Sequence, residues 1–378
     1  MTGPGVTVVV PTVGRPSLAA VLDALPRPLP AAVEVLVVDD RPDRGEPLAV
    51  PGDVTVVAGP ARGPAGARNA GWRAARQPWV AFLDDDVRPG PDWLDRLAAD
   101  LAAAPASVGG VQGVLRVPLP ADRRPTDWER VTAGLTAGRW ITADMAYRRA
   151  ALAACGGFDE RLPRAFREDA EVAYRVRRGG WALSRGTRTV THPVRPEDRW
   201  VSVRNQRGNA DDALLRRMYG RYWRTMLEVP PGRRPRHAAI TAAGVAAAAA
   251  LAARRPTLAA LAGLAWAAGT AEFAAARIVP GPWNRHEVAT MLATSAVIPP
   301  VATAHWLRGW WRWRYARPLP AAVPRHPARR TEPAAGRAAE PAVVPAAGRA
   351  AEPAAVPAAV PAGGRAAEPA AEPVEARR

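Results

Sequence analysis

Six apolar residues at positions 78–83, Pro-Trp-Val-Ala-Phe-Leu, run without a break into three carboxylates, Asp84, Asp85 and Asp86. An apolar run with no polar alternation reads as a strand buried on both faces, the mark of a largely parallel sheet with helices on each side. In such sheets ligands bind beyond the carboxyl ends of the strands. Acids gathered there repel one another unless something positive lies between them. A hard divalent cation is the usual partner, held by one or two carboxylates and the phosphates of its ligand. A solvated acidic turn has the same local sequence, so the neighbouring segments must decide.

Those segments repeat the theme. Over residues 1–200, short β-branched runs alternate with helical stretches. Strands are expected at 6–10, 33–38, 54–57, 78–83 and 187–191, with an extended stretch at 141–147. Helices are expected from an N-cap at Ser17 to residue 25, then at 65–76, 91–104, 148–154 and 169–178. The pattern predicts an α/β domain with a Rossmann-like, mostly parallel central sheet and helices on both faces. One cysteine, Cys155, excludes an internal disulfide and suits a reducing compartment. The apolar run at 6–10 is too short for a signal core and has no basic segment before it, so a cytoplasmic catalytic part is expected.

Three further segments follow. Residues 201–236 read as a basic connector, since positions 199–236 carry ten arginines against three acids. Residues 237–315 hold three apolar stretches: the first mostly alanine, the second containing Glu272, the third interrupted by Pro299 and Pro300. Trp306, Trp310, Trp311 and Trp313 interleave there with Arg308, Arg312 and Arg314. Tryptophan with arginine is the composition of a membrane interface, which predicts attachment to the cytoplasmic face of a membrane. A soluble helical subdomain with a tryptophan-lined core is the alternative. Residues 316–378 repeat an Ala-Ala-Gly-Arg-Ala-Ala-Glu-Pro-Ala unit and hold too little apolar surface to repay ordering, so a disordered tail is expected.

The net charge of +17 predicts attraction to polyanions. No nucleic-acid-binding module is recognisable, and nucleic acid is not expected as a partner. A smaller anion fits the strand ends better. Pro11-Thr12-Val13-Gly14-Arg15 follows the first strand, Asp39 and Asp40 close the second, and Asp84 to Asp86 close another. Each has a turn-forming explanation. Together they line one sheet edge with a hydroxyl, carboxylates and an arginine, which suits a nucleotide diphosphate with its cation.

The first 200 residues resemble a family 2 glycosyltransferase of the GT-A fold. The matching residues are Val8-Val9-Val10-Pro11-Thr12, Val37-Val38-Asp39-Asp40, Ala67-Arg68-Asn69-Ala70-Gly71, Phe82-Leu83-Asp84-Asp85-Asp86, Gly156-Gly157-Phe158-Asp159-Glu160 and Arg167-Glu168-Asp169. The resemblance implies that Thr12, Asp39 and Asp40 serve the nucleoside and that Arg68 lies near the base or phosphates. It implies a metal pair of Asp84 and Asp86, with Asp86 the direct ligand and Asp85 a possible substitute. The cofactor would be Mg²⁺ or Mn²⁺.

The same resemblance makes Asp169 the base that deprotonates the acceptor hydroxyl, with Glu168 second. Both acids would also favour the positive end of a helix without any catalytic role. His192 is expected to complete the metal or diphosphate site, or to be structural. Asp144, Arg204 and Arg207 are expected near the donor sugar, the diphosphate or the acceptor. The whole implies an inverting, metal-dependent transferase moving a sugar from a nucleotide-sugar donor to a cell-envelope glycan or lipid-linked acceptor. A sugar nucleotidyltransferase and a non-enzymatic membrane-associated scaffold are the rivals. The first lacks its glycine-rich, basic start, and the second leaves the ordered carboxylates unexplained.

Overall fold

The computed structural model describes residues 3–319; the repeat segment expected to be disordered lies almost wholly outside them. In chain order the first half comprises β1 (Val6–Thr12), α1 (Ser17–Asp23), β2 (Val33–Asp39), β3 (Thr55–Ala58), α2 (Pro64–Ala74), β4 (Trp79–Leu83), β5 (Arg88–Pro89), α3 (Trp93–Ala103) and β6 (Val108–Arg116). Then come α4 (Asp127–Ala133), β7 (Asp144–Arg148), α5 (Arg149–Cys155), α6 (Glu168–Arg178), β8 (Ala182–Thr191), α7 (Val201–Arg204), α8 (Asn209–Tyr219) and α9 (Trp223–Met226). Three long helices close the described chain: α10 (Arg234–Ala252), α11 (Pro256–Ile278) and α12 (Arg285–Arg312).

The eight strands form one sheet in the order β3-β2-β1-β4-β7-β6-β8-β5. The first four are parallel, and β7 then enters antiparallel between β4 and β6. Both faces are covered, as the unbroken apolar run requires. On β4, Trp79, Ala81 and Leu83 join the core under α1 and α3, while Val80 and Phe82 join the core under α2, α5 and α6. Successive side chains of a strand point to opposite faces, so one strand feeds both cores.

β6 was absent from the expected elements. Its Gly109, Gly110 and Gly113 depress the strand signal. The glycines make room for neighbours instead: a Cβ on Gly113 would meet the Asp144 carboxylate at 2.0 Å. The N-cap of α1 is Pro16, with Ser17 the first helical residue and no side-chain cap.

The basic stretch at 201–236 folds into α7 to α9. Leu214, Leu215, Met218, Trp223 and Leu227 form a core there with Ala170 and Tyr174 of α6. The third apolar stretch is not interrupted by Pro299 and Pro300; α12 runs through both. Each proline removes one ladder donor. The carbonyls left without a ladder donor are those of Ser295 and Ala296, and one turn further on the Thr303 hydroxyl donates to the Pro299 carbonyl over 2.8 Å.

Candidate active site

Parallel strands end side by side, so β1, β2 and β4 bring their terminal residues to one edge. There a cleft of about 410 Å³ is lined by Thr12, Asp40, Arg68, Asp84, Asp85, Asp86, Glu168, Asp169 and His192, among others. These nine sequence-expected residues share one cavity.

The three acids differ in their partners. Asp85 is buried, accepting from the Thr12 hydroxyl at 2.6 Å and from Arg15 at 2.5 Å. Asp84 is partly open and accepts from Arg68 at 2.8 Å. Asp86 faces His192 Nε2 at 3.8 Å and Arg195 Nε at 3.3 Å. The middle acid is thus occupied by the protein, while the outer two face the cleft.

Arg68 on α2 is 2% exposed and reaches both halves of the site. Besides Asp84 it donates to Glu168 at 2.8 Å. Burial would lower its basicity, yet Asp84 and Glu168 more than compensate and hold the guanidinium charged. Glu168 and Asp169 open α6. Burial is the main cause raising both carboxyls above the ordinary range, and Asp169 adds further to the shift of Glu168. Glu168 Oε2 is buried without a hydrogen-bond partner. Asp169 accepts from the Ala170 N–H at 2.7 Å.

The loop beside the cleft is organised by Asp40, which accepts from the N–H of Ala61 at 2.7 Å and of Gly63 at 2.9 Å. Gly63 has φ +91° and stands where a Cβ would lie 2.1 Å from the Pro163 carbonyl oxygen, so no other residue fits there.

Among the described residues, no group of three or more His, Cys, Asp or Glu side chains could hold a metal ion. The pair Asp86 and His192 nonetheless suits one. His192 Nδ1 lies 3.1 Å from the Pro193 carbonyl, which can only accept, so Nδ1 carries the proton. In the neutral ring Nε2 then presents its lone pair toward the Asp86 carboxylate. Two such electron-rich groups face one another favourably with a cation between them.

Four expected residues do not line the cleft. Asp39 is clamped by Arg41 at 2.8 and 2.9 Å, a pairing that lowers its pKa. Asp144 is fully buried on β7, accepting from Arg188 at 2.7 Å and from Trp93 Nε1 at 3.0 Å. It is a core ion pair. Arg204 pairs with Asp198 at 2.7 Å and Glu197 at 2.8 Å on the surface, and Arg207 is exposed. Arg15, placed at this sheet edge by the sequence, lines the cleft, and Arg195, Trp128 and Asn205 line it without having been assigned to it. Arg195 had one visible signal: it stands between prolines just after His192, in chain that must stay extended beside Asp86.

The Asp144–Arg188 pair makes a stability prediction. Arg188→Ala strands a buried carboxylate and is expected to cost roughly 3–5 kcal/mol. Denaturant midpoints check it; a loss under about 1 kcal/mol would show that Asp144 finds another partner or protonates cheaply.

The sequence model of glycosyl transferase family 2 matches residues 7–145, which run from within β1 through β6 and α4 and include the acidic triple. The succinoglycan biosynthesis protein ExoO of Rhizobium meliloti (strain 1021) is 42% identical over 89 residues, covering 22% of this chain and 26% of that protein. Among solved structures, glucosyl-3-phosphoglycerate synthase from Mycobacterium tuberculosis, in complex with Mn²⁺, uridine diphosphate and phosphoglyceric acid, is similar. It shows 18% identity and a TM-score of 0.41 over 61% of this chain and 81% of that one. GalNAc-T7 with UDP, GalNAc and Mn²⁺ aligns over 52% of this chain and 44% of its own, with 20% identity and a TM-score of 0.40. Over residues 7–145, the segment whose parallel strands end in these acids, this chain is similar to glycosyl transferase family 2.

Proposed function

We propose that the cleft takes a nucleotide-sugar donor with Mg²⁺ or Mn²⁺ and moves the sugar, with inversion, to a hydroxyl of a glycan or lipid-linked acceptor. One observation carries this reading: Arg68 ties the strand-end acid Asp84 to the Glu168–Asp169 pair across a single cleft. Leaving-group and acceptor halves of a transfer site are thereby held at fixed separation.

In this reading Asp40 shapes the nucleoside pocket through the 61–63 loop, and Thr12 with Arg15 fixes Asp85 as a wall. Asp86 and His192 hold the cation, with Asp84 beside them, and donor phosphates complete the set. When bound, that cation offsets the charge of the departing diphosphate. Arg195 adds a second positive group on the same side.

Asp169 takes the acceptor proton. The hydroxyl oxygen bonds to the anomeric carbon as the bond from that carbon to the diphosphate breaks, its electron pair leaving on phosphate oxygen. One displacement with one base inverts the centre. Glu168, already engaged by Arg68, positions the helix start rather than the proton.

The acceptor class draws support from the ExoO likeness and from the apolar helices after the catalytic sheet. A thermal-shift series with nucleotide sugars tests the donor reading. Donor at 100 times its Kd should add about 2.7 kcal/mol of stability, and only with divalent metal present. No shift with any nucleotide sugar, with or without metal, overturns it.

A further inference from the structure

We propose that the α10–α11 hairpin crosses a lipid bilayer, and that α12, equally capable by composition, stays with the catalytic body as the strut carrying it. By length and composition alone α11 and α12 could span, whereas α10, shorter and mostly alanine, does not reach that level and would cross only as the partner of α11. Packing separates α11 from α12.

α12 buries one stripe along most of its length, from Glu287 through Thr294 and Ser295 to Ile298, Ala302 and Gly309. Much of that stripe is polar and engaged. Glu287 accepts from the Asp127 N–H at 2.8 Å, and the Thr294 and Ser295 hydroxyls accept at 2.8 and 3.1 Å from Arg277 at the end of α11, which also donates to Asp127 at 2.7 Å. Near the far end, a Cβ on Gly309 would lie 2.6 Å from the Cα of Ala210, so α12 sits directly on the backbone of α8. A helix committed this way to a soluble body is not available to lipid.

The hairpin is the opposite case. Between Thr241 on α10 and Glu272 on α11 no residue is buried. Leu251, Leu261 and Leu264 are 69%, 60% and 67% exposed. Soluble proteins rarely leave so continuous an apolar surface uncovered. The two helices pack on each other where Gly244 meets Trp266 and Gly269 meets Ile240. Their ties to α12 lie at the base, from Thr241 to Thr303, from Arg234 to the Trp306 ring and from Arg277 to Thr294 and Ser295.

Charge selects the occupant. No charged residue occurs between Arg236 and Arg254 on α10, or between Arg255 and Glu272 on α11. At 1.5 Å per residue each stretch covers roughly 25 Å, and arginine side chains reaching outward make up the difference to a hydrocarbon core of about 30 Å. Arg254 and Arg255 at the tip could not rest at mid-bilayer without a large cost, which favours a full crossing over insertion into one leaflet. At the base Arg234 lies over the Trp306 ring, which stacks on Trp310, and Arg308 and Arg312 follow in the same stretch of α12, a composition complementary to anionic headgroups. The larger cluster of arginines lies on the catalytic side, as the positive-inside tendency requires of a cytoplasmic domain.

The hairpin rests on the transfer reading only for the acceptor it would serve. Ala210, seated against α12, lies two residues after Gly208, which packs on the cleft residue Phe166. The collar at the hairpin base and the cleft wall are therefore joined by a few residues, which suits an acceptor presented at the headgroup level.

Topology in bacteria expressing the full chain tests the proposal. Arg255→Cys is expected to react with a membrane-impermeant maleimide in intact spheroplasts, and Ala102→Cys on α3 only after lysis; native Cys155 is buried and gives little background. The combined Leu258→Asp, Leu261→Asp and Leu264→Asp variant should lower the carbonate-resistant membrane fraction at least tenfold, whereas Leu292→Asp on the exposed side of α12 leaves it unchanged. Tip labelling that requires lysis, release of the wild type by carbonate, or equal solubilisation by Leu292→Asp overturns the proposal. A soluble wild type that dimerises through the hairpin does so as well. Neither arm uses donor or turnover, so failure of the transferase reading would be seen separately in the thermal-shift series.

Discussion

Asp169→Asn should lower kcat by about a thousandfold, within the range that a positioned general base contributes, while donor binding stays near wild type. The amide keeps the shape and the contact to the Ala170 N–H region but cannot take a proton. The wild-type pH profile should carry the same information. Burial raises the Asp169 carboxyl, and a base works only when ionised. Activity is therefore full above that raised pKa and lost as pH falls through it, at higher pH than an ordinary aspartate near 3.9 would show. The substitution should remove this acid limb from the residual rate. A parallel fall in donor affinity, or an unchanged limb, would mean that Asp169 supports the fold of the site and does not perform the proton transfer.

Asp86→Ala should cost about a thousandfold in kcat/KM, corresponding to the several kcal/mol that a divalent cation supplies at a phosphoryl oxygen. Chelator treatment should then cost the variant little more, because variant and chelator remove the same thing. Asp85→Asn provides the contrast. Asp85 is held by Thr12 and Arg15 at the cleft wall, so its loss should lower stability, by roughly 1–3 kcal/mol for a buried group left mismatched, and leave the metal titration in place. If Asp86→Ala retains the wild-type dependence on Mg²⁺ or Mn²⁺, the assignment of the cation to Asp86 and His192 fails. Titrating the metal against thermal stability gives the answer without turnover.

Most of the catalytic sheet was legible because strand signals are local. Each of β1, β2 and β4 is a run of apolar residues ended by a proline or an acid, and burial on both faces writes itself as the absence of alternation. β6 was not legible, since its glycines answer to Trp181 and Asp144, which are distant in sequence. Site residues divided along the same line. Thr12, Asp40, Asp86 and Asp169 follow from being at strand ends or a helix start. Asp144 has the same local look, yet the antiparallel entry of β7 places it beside Arg188 in the core. Asp39 and Asp40 are adjacent, yet Asp39 is taken by Arg41 while Asp40 turns to the cleft and its loop.

The helices after the sheet show the complementary limit. Composition marked 237–315 as apolar and tryptophan-arginine rich, but it marked α11 and α12 alike. Their difference lies in which face meets another part of the chain, and periodicity cannot report a partner.

The amino-acid sequence alone determined the α/β class, the run of strands ending in acids and the family likeness that those motifs carry. These depend on neighbours a few residues apart, where backbone geometry and burial act directly. Tertiary structure alone decided that Asp85 is taken by Thr12 and Arg15, that Arg68 bridges Asp84 to Glu168, and that α12 is seated while the hairpin stands exposed. Each of those is a contact between residues far apart in the chain, set by how the sheet edge and helix starts converge.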